Sequence, residues 1–134
     1  MDFAKGPRIQ VRVAFPSLGV SEILWFLIDT GATYTQISEG DFLKLGIQRD
    51  RFELTDETIF TAGNVLKQYV FAKRARLTLV GRNYDFERVR ALIYQGDDPK
   101  KRKDFLENVN SILGRDILLR HKMTLRRSHV VLES

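Results

Sequence analysis

The 134-residue sequence contains no cysteine, which excludes disulfide bonds and thiolate metal sites. Glycine-rich phosphate loops, G-x-S-x-G and H-E-x-x-H are also absent, and the only histidines, His121 and His129, lack a paired-ligand spacing. No apolar run approaches the roughly 18 residues that span a membrane. The first residues lack the basic and then apolar order of a secretory signal. These absences predict a cytoplasmic protein without a cofactor, a metal ion or a membrane partner.

Length and charge set the broad class of the protein. A chain of 134 residues predicts a single domain spanning 1–134. The net charge of +5 and the basic run Lys100–Lys103 would suit a small basic β-barrel that binds nucleic acid. Acidic residues between positions 97 and 107 surround that run, however, and dilute its positive field. We therefore expect a solvated loop at residues 96–104 and do not expect nucleic acid as a partner.

Most of the chain has the pattern of short strands. Residues 8–15 alternate apolar and polar side chains, which predicts a strand with one buried face. Residues 22–29 are apolar almost throughout, which predicts a strand covered on both faces. Ser38 and the acids that follow it predict the start of a short helix, and a second helix is expected after Gly114. The aromatic residues expected in the core are Trp25, Phe26, Phe42, Phe60 and Phe71.

The sequence L-I-D-T-G-A places a carboxylate, Asp29, at the end of an apolar run. Burial at the edge of a core disfavours the charged form of an acid unless its neighbours compensate. Gly31 permits a turn in which backbone N–H groups face the carboxylate, and Thr30 offers a hydroxyl group beside it. This pattern favours a functional acid, although an Asp that only bonds its own turn would give the same tripeptide.

Two segments of the chain, at a suitable separation, resemble the retropepsin-like aspartic proteases, meaning the retroviral proteases and their single-lobe relatives. The first is the apolar pair followed by D-T-G-A at Asp29–Ala32, and the second is S-I-L-G-R-D-I-L-L at residues 111–119. The resemblance covers residues 8–126. It implies a mostly β fold, a closed β-barrel-like lobe with a flap hairpin and one or two short helices. It also implies that the second segment packs beside the active-site loop.

The resemblance further implies an aspartic endopeptidase that hydrolyses peptide bonds in extended polypeptides. Because the chain has one D-T-G, a pair of carboxylates requires a homodimer with one Asp29 from each subunit. Catalysis is assigned to Asp29, and the supporting active-site loop is Thr30, Gly31 and Ala32. The residues assigned to substrate binding and the flap are Ala62, Gly63, Asn64, Val65 and Tyr34. The structural late motif is Ile112, Leu113, Gly114 and Arg115.

One departure from the family concerns the residue after D-T-G-A. Retroviral proteases carry an acid there that pairs with the arginine of the late motif, whereas this chain has Thr33. Asp116 is the expected alternative partner of Arg115. A catalytically idle domain of the same fold, which binds peptide or mediates dimerisation, is the alternative function that the sequence leaves open.

Overall fold

The computed structural model describes residues 6–61, 64–125 and 130–133, with the backbone alone at 54–61, 64–68 and 125. Within these ranges the chain is mostly β, as expected, and no helix is long and apolar enough to cross a membrane. The α-helices are α1 (Glu39–Lys44), α2 (Pro99–Asn108) and α3 (Arg115–Leu118). The strands are β1 (Arg8–Phe15), β2 (Val20–Ile28), β3 (Gln36–Ser38), β4 (Glu53–Thr61), β5 (Asn64–Phe71), β6 (Ala75–Leu79), β7 (Arg82–Phe86), β8 (Val89–Leu92), β9 (Ser111–Leu113), β10 (Lys122–Leu125) and β11 (Val130–Glu133).

Nine of these strands form one sheet in the order β4-β5-β8-β3-β9-β2-β1-β6-β7. The remaining strands, β10 and β11, pair with each other in a separate two-stranded antiparallel sheet. A barrel closes only when its two edge strands hydrogen-bond to each other. In the described part of the chain β4 and β7 are the edges and do not pair, so the expected closed barrel is not found.

The first two strands pack one face against the core. On β1, Val11, Val13 and Phe15 are fully buried, which confirms the alternation predicted for this strand. The expectation that β2 is covered on both faces was wrong, because Ile23 is 51% exposed and Trp25 is 54% exposed. Each of the two lies opposite a polar residue of β1, and this face of the strand pair remains accessible to solvent.

The centre of the core is aromatic. Phe26, Phe42 and Phe71 are buried, as the sequence predicted, whereas Trp25 is not part of the core. The ring of Phe71 meets that of Phe15 edge to face, with centroids 5.1 Å apart, a favourable arrangement for aromatic pairs. The side chain of Phe60 lies outside the described residues.

Both of the longer helices begin at a side-chain cap. The Oγ of Ser38 accepts a hydrogen bond from Asp41 N (3.2 Å) at the start of α1, which confirms the predicted helix start. The loop predicted at residues 96–104 was wrong, since α2 begins inside it at Pro99. The carboxylate of Asp98 accepts a hydrogen bond from Lys100 N (2.9 Å), and proline is favoured at the first helical position.

An ion cluster around one buried carboxylate fixes α2 against α1. The Glu39 side chain is fully buried, and its carboxylate accepts hydrogen bonds from Arg49 Nη2 and Arg102 Nη2, each at 2.8 Å. Gly40 lies so close to the Leu106 carbonyl oxygen that any side chain at position 40 would collide with it. Arg102, part of the basic run, is thus paired with a buried carboxylate while its own side chain stays 40% exposed.

The charge on Glu39 should contribute strongly to stability. We expect Glu39→Gln to lower the free energy of unfolding by about 3 kcal/mol, because an amide cannot accept from both guanidinium groups without opposing one of them with its own donors. Urea denaturation at neutral pH measures this loss. Glu107→Gln, at an exposed position of α2, is the matched control and should change stability by less than about 0.5 kcal/mol. Equal effects of the two substitutions would contradict the role of the cluster.

Candidate active site

The sheet topology explains why two distant segments meet. β2 runs parallel to β9, with Ile28 opposite Leu113, so the residues that follow each strand emerge at the same edge. β3 pairs with the other side of β9, with Gln36 opposite Ile112. The connection between β2 and β3, residues 29–35, must therefore pass around the end of β9.

Backbone hydrogen bonds join this connection to the end of β9. Asp29 N donates to Leu113 O (3.1 Å), and Arg115 N donates to Ala32 O (2.9 Å). Asp116 N donates to Thr33 O (3.2 Å). The expectation that the late motif packs beside the D-T-G-A loop is confirmed.

Gly114 makes this close packing possible. A Cβ atom at position 114 would lie within 2.9 Å of Thr35 N and still closer to the carbonyl group of Tyr34. Both of those groups are backbone and cannot rotate away. The glycine of the late motif is therefore required for the loop to reach its position.

The Asp29 side chain is partly buried at the start of the loop, while Thr30 and Gly31 are exposed. Gly31 N donates to Asp29 Oδ1 (2.9 Å), which is the turn that the sequence predicted. Ala32 N donates to the backbone oxygen of Asp29 (3.1 Å). The carboxylate is thus held by its own turn and still reaches solvent, and its catalytic role stays a prediction.

A carboxylate–hydroxyl pair that the sequence analysis missed secures the other end of the loop. Thr35 N donates to both oxygens of Asp116 at 3.0 Å, and Thr35 Oγ1 donates to Asp116 Oδ1 at 2.6 Å. The same hydroxyl group accepts from Gly114 N (3.1 Å). Thr35 is buried, so this pairing replaces the water that these groups would otherwise bind.

The expected pairing of Arg115 with Asp116 was wrong, because Asp116 is committed to Thr35. Arg115 Nη2 instead donates to the hydroxyl oxygen of Thr33 at 3.0 Å. Neighbouring residues of a helix point in different directions, which separates the two side chains of α3. The only signal in the sequence for the Asp116 contact was a polar residue directly after Arg115. The local sequence does not show that Thr35 is the residue that Asp116 bonds.

Tyr34 follows Thr33 in the loop and is exposed. The guanidinium carbon of Arg90, on β8, lies 3.9 Å from the centroid of the Tyr34 ring, a cation–π geometry that orients the ring. The assignment of Tyr34 to substrate binding stays a prediction.

The candidate flap is only partly described. Ala62 and Gly63 lie outside the described residues. On either side of them β4 and β5 pair antiparallel, with Thr61 opposite Asn64 and Phe60 opposite Val65. The backbone therefore forms the expected hairpin, and its function as a flap over a cleft stays a prediction.

Two solved structures of proteases have a similar fold. The chain is similar to the EIAV protease complexed with the inhibitor HBY-793, with 22% identity, a TM-score of 0.57, and coverage of 93% of this chain and 98% of that one. It is also similar to a retropepsin-like aspartic protease from Rickettsia conorii, with 18% identity, a TM-score of 0.59, and coverage of 93% and 81%. These likenesses show that the fold is retropepsin-like.

Sequence comparison addresses the family directly. None of the curated protein sequences matches this chain significantly. The sequence profile described as aspartyl protease matches residues 10–117, a span that contains both the D-T-G-A loop and the late motif. The chain therefore belongs to the aspartyl protease family.

Proposed function

We propose that the protein is an aspartic endopeptidase that acts as a homodimer, with one Asp29 from each subunit at the two-fold axis. The observation that carries this proposal is the fixed position of the D-T-G-A loop on the end of β9, which presents a partly buried Asp29 to solvent. One chain supplies one such carboxylate. A two-fold axis would bring the second, because it repeats the same surface on both subunits.

In this proposal the two carboxyl groups share one proton, since two carboxyl groups at short distance cannot both be ionised. The ionised group takes a proton from a water molecule, whose oxygen then attacks the carbonyl carbon of the scissile bond. The protonated group gives its proton to the carbonyl oxygen. Transfer of a proton to the nitrogen then lets the C–N bond break, which releases a carboxylic acid and an amine.

The other residues of the predicted site would support this reaction. Thr30 would join the two loops across the axis. Gly31 and the hairpin segment 62–65 would bind an extended substrate as an added strand, through backbone hydrogen bonds. Tyr34 would line the substrate cleft, and the late motif 112–115 would hold the loop from behind.

The terminal hairpin is the surface that we assign to dimerisation. β10 and β11 form a sheet of their own, so each strand has one edge without a partner strand among the described residues, and such an edge can pair with another chain. Leu119, just before the hairpin, is 80% exposed, and Met123 within it is also exposed. A second copy would extend the hairpin and cover these side chains. The single domain and the cytoplasmic location stay predictions.

Asp29→Asn should abolish proteolysis. The amide oxygen can still accept from Gly31 N, so the loop should keep its shape while the ionisable group is lost. Cleavage of an unfolded protein between pH 3 and 8 measures the activity, and analytical ultracentrifugation should show an unchanged dimer. Asp97→Asn, at an exposed site outside the loop, should retain activity. A wild-type dimer that binds peptide and cleaves nothing would favour the catalytically idle alternative.

Mixing wild-type and Asp29→Asn subunits tests whether two copies are needed. If subunits exchange freely at equal amounts, about one quarter of the dimers contain two wild-type chains, and we expect about one quarter of the activity. Independent subunits would retain about half, since half of the chains are wild type. A measured value near one half would therefore contradict the shared site.

Thr35→Val should weaken both the fold and the proposed activity. The substitution keeps the shape of the buried side chain but removes the hydroxyl group that bonds Asp116 and Gly114, at a cost of about 2 kcal/mol in the free energy of unfolding. Urea denaturation measures this loss. Thr78→Val, where the hydroxyl group bonds the exposed Asn83, is the control and should be nearly neutral. The idea fails if the two variants have equal stability.

A further inference from the structure

Arg115 is a cation whose partner beside the proposed active site is uncharged. Its side chain is exposed, and its guanidinium group donates to the Thr33 hydroxyl group at 3.0 Å. Across the described residues, no carboxylate lies within 4.0 Å of it. The nearest acid in sequence, Asp116, is bonded to Thr35 through both of its oxygens. The positive charge of Arg115 is therefore not neutralised by an ion pair with any side chain that the structure describes.

The backbone fixes where this charge lies. Arg115 N bonds Ala32 O (2.9 Å), and the guanidinium group bonds the next residue of the same loop, Thr33. The loop begins at Asp29, so the cation is held on the segment that carries the proposed catalytic carboxylate. An extended substrate lying along this loop would bring its own side chains near the guanidinium group.

We infer that Arg115 is a specificity-determining residue that makes the enzyme prefer substrates with a glutamate or aspartate side chain close to the scissile bond. This inference rests on the proposed function and names its substrate class. A guanidinium group binds a carboxylate through paired N–H donors, and the second N–H of Arg115 Nη2, together with the adjacent N–H of Nη1 or Nε, can supply such a pair. In a two-fold dimer each flank of the scissile bond faces one Arg115, so acidic residues are recognised on either side.

The expected size of the preference for acidic substrates follows from the exposure of Arg115 to solvent. Ion pairs that remain in contact with solvent change an equilibrium by a factor of up to about five, and salt weakens them. We expect a substrate with glutamate at the recognised position to have a kcat/KM about three to five times that of its glutamine analogue at low ionic strength. The ratio should approach one at about 1 M salt.

A set of peptides that differ only by Glu or Gln, at each position within four residues of the scissile bond, tests this inference. Arg115→Gln should bring every Glu/Gln ratio to about one, because the cation is lost. Thr33→Asp should also bring every Glu/Gln ratio to about one, since it places a carboxylate beside Arg115 within the subunit and so neutralises the cation. Arg88→Gln, at an exposed position outside the loop, is the matched control and should keep the wild-type ratio.

Measurements of peptide binding test this inference independently of the proposed proteolytic function. The affinity of the Asp29→Asn protein for the same peptides, measured by fluorescence anisotropy, does not depend on cleavage. Tighter binding of the Glu peptide, lost in the Asp29→Asn/Arg115→Gln double variant, supports the inference even if wild type cleaves nothing. Ratios near one in the wild type, or equal binding of both peptides where there is no cleavage, would overturn it. A wild-type ratio that survives Arg115→Gln would also overturn it, because another residue would then be responsible.

Discussion

The proposed active site depends on one constraint, that the chain must pass around the end of β9. β2 and β3 pair with opposite sides of this strand, so their connection has no other route. The path is narrow enough that position 114 admits only a glycine. Backbone hydrogen bonds from Asp29, Arg115 and Asp116 then fix the connection at several points. The location of the Asp29 carboxylate is thus a consequence of sheet order and close backbone packing, more than of any contact made by the carboxylate itself.

Side-chain chemistry divides this loop into two unlike halves. At the end nearest β3, buried Thr35 and partly buried Asp116 form a hydroxyl–carboxylate pair with an O–O distance of 2.6 Å. In the middle of the loop, Thr33 gives Arg115 a neutral partner. Because the acid of α3 is used to hold the loop, it is not available to the adjacent guanidinium group. Among the described residues Arg115 therefore has no acidic partner, and its positive charge lies at the surface of the loop.

The sequence predicted those features that depend on local pattern. Ser38 located the start of α1 in this way. The resemblance carried by D-T-G-A after an apolar run and by I-L-G-R implied which two segments meet. Exposure of Trp25 was not predictable in this way, because hydrophobicity alone does not reveal whether a second layer covers a strand. The contact between Thr35 and Asp116 joins residues 81 positions apart, so no local signal could specify it.

The helix α2 was predicted as a loop for a different reason. Charge density at residues 96–104 suggested a loop, yet Asp98 followed by Pro99 is itself a helix-start signal. The decisive interaction is again distant, since Arg102 contributes to the cluster around Glu39, whose other cation is Arg49. A basic run that looks uniformly solvated thus contains one residue with a structural role. The net charge of the basic run therefore overstates the positive field at this surface, because the charge of Arg102 is balanced by Glu39.

β9 itself has only three residues and a short ladder on each side, which is a weak basis for positioning a catalytic loop. Hydroxyl–carboxylate pairs compensate at both of its ends. At its start, Ser111 Oγ donates to Asp41 Oδ2 (2.6 Å) and accepts from Ser38 N (2.9 Å), which ties the strand to α1. Beyond its other end, Asp116 and Thr35 make the corresponding pair. Since buried polar groups bond only in a narrow range of geometries, the two pairs fix the position of β9 along its own axis, and the Asp29 loop inherits that position.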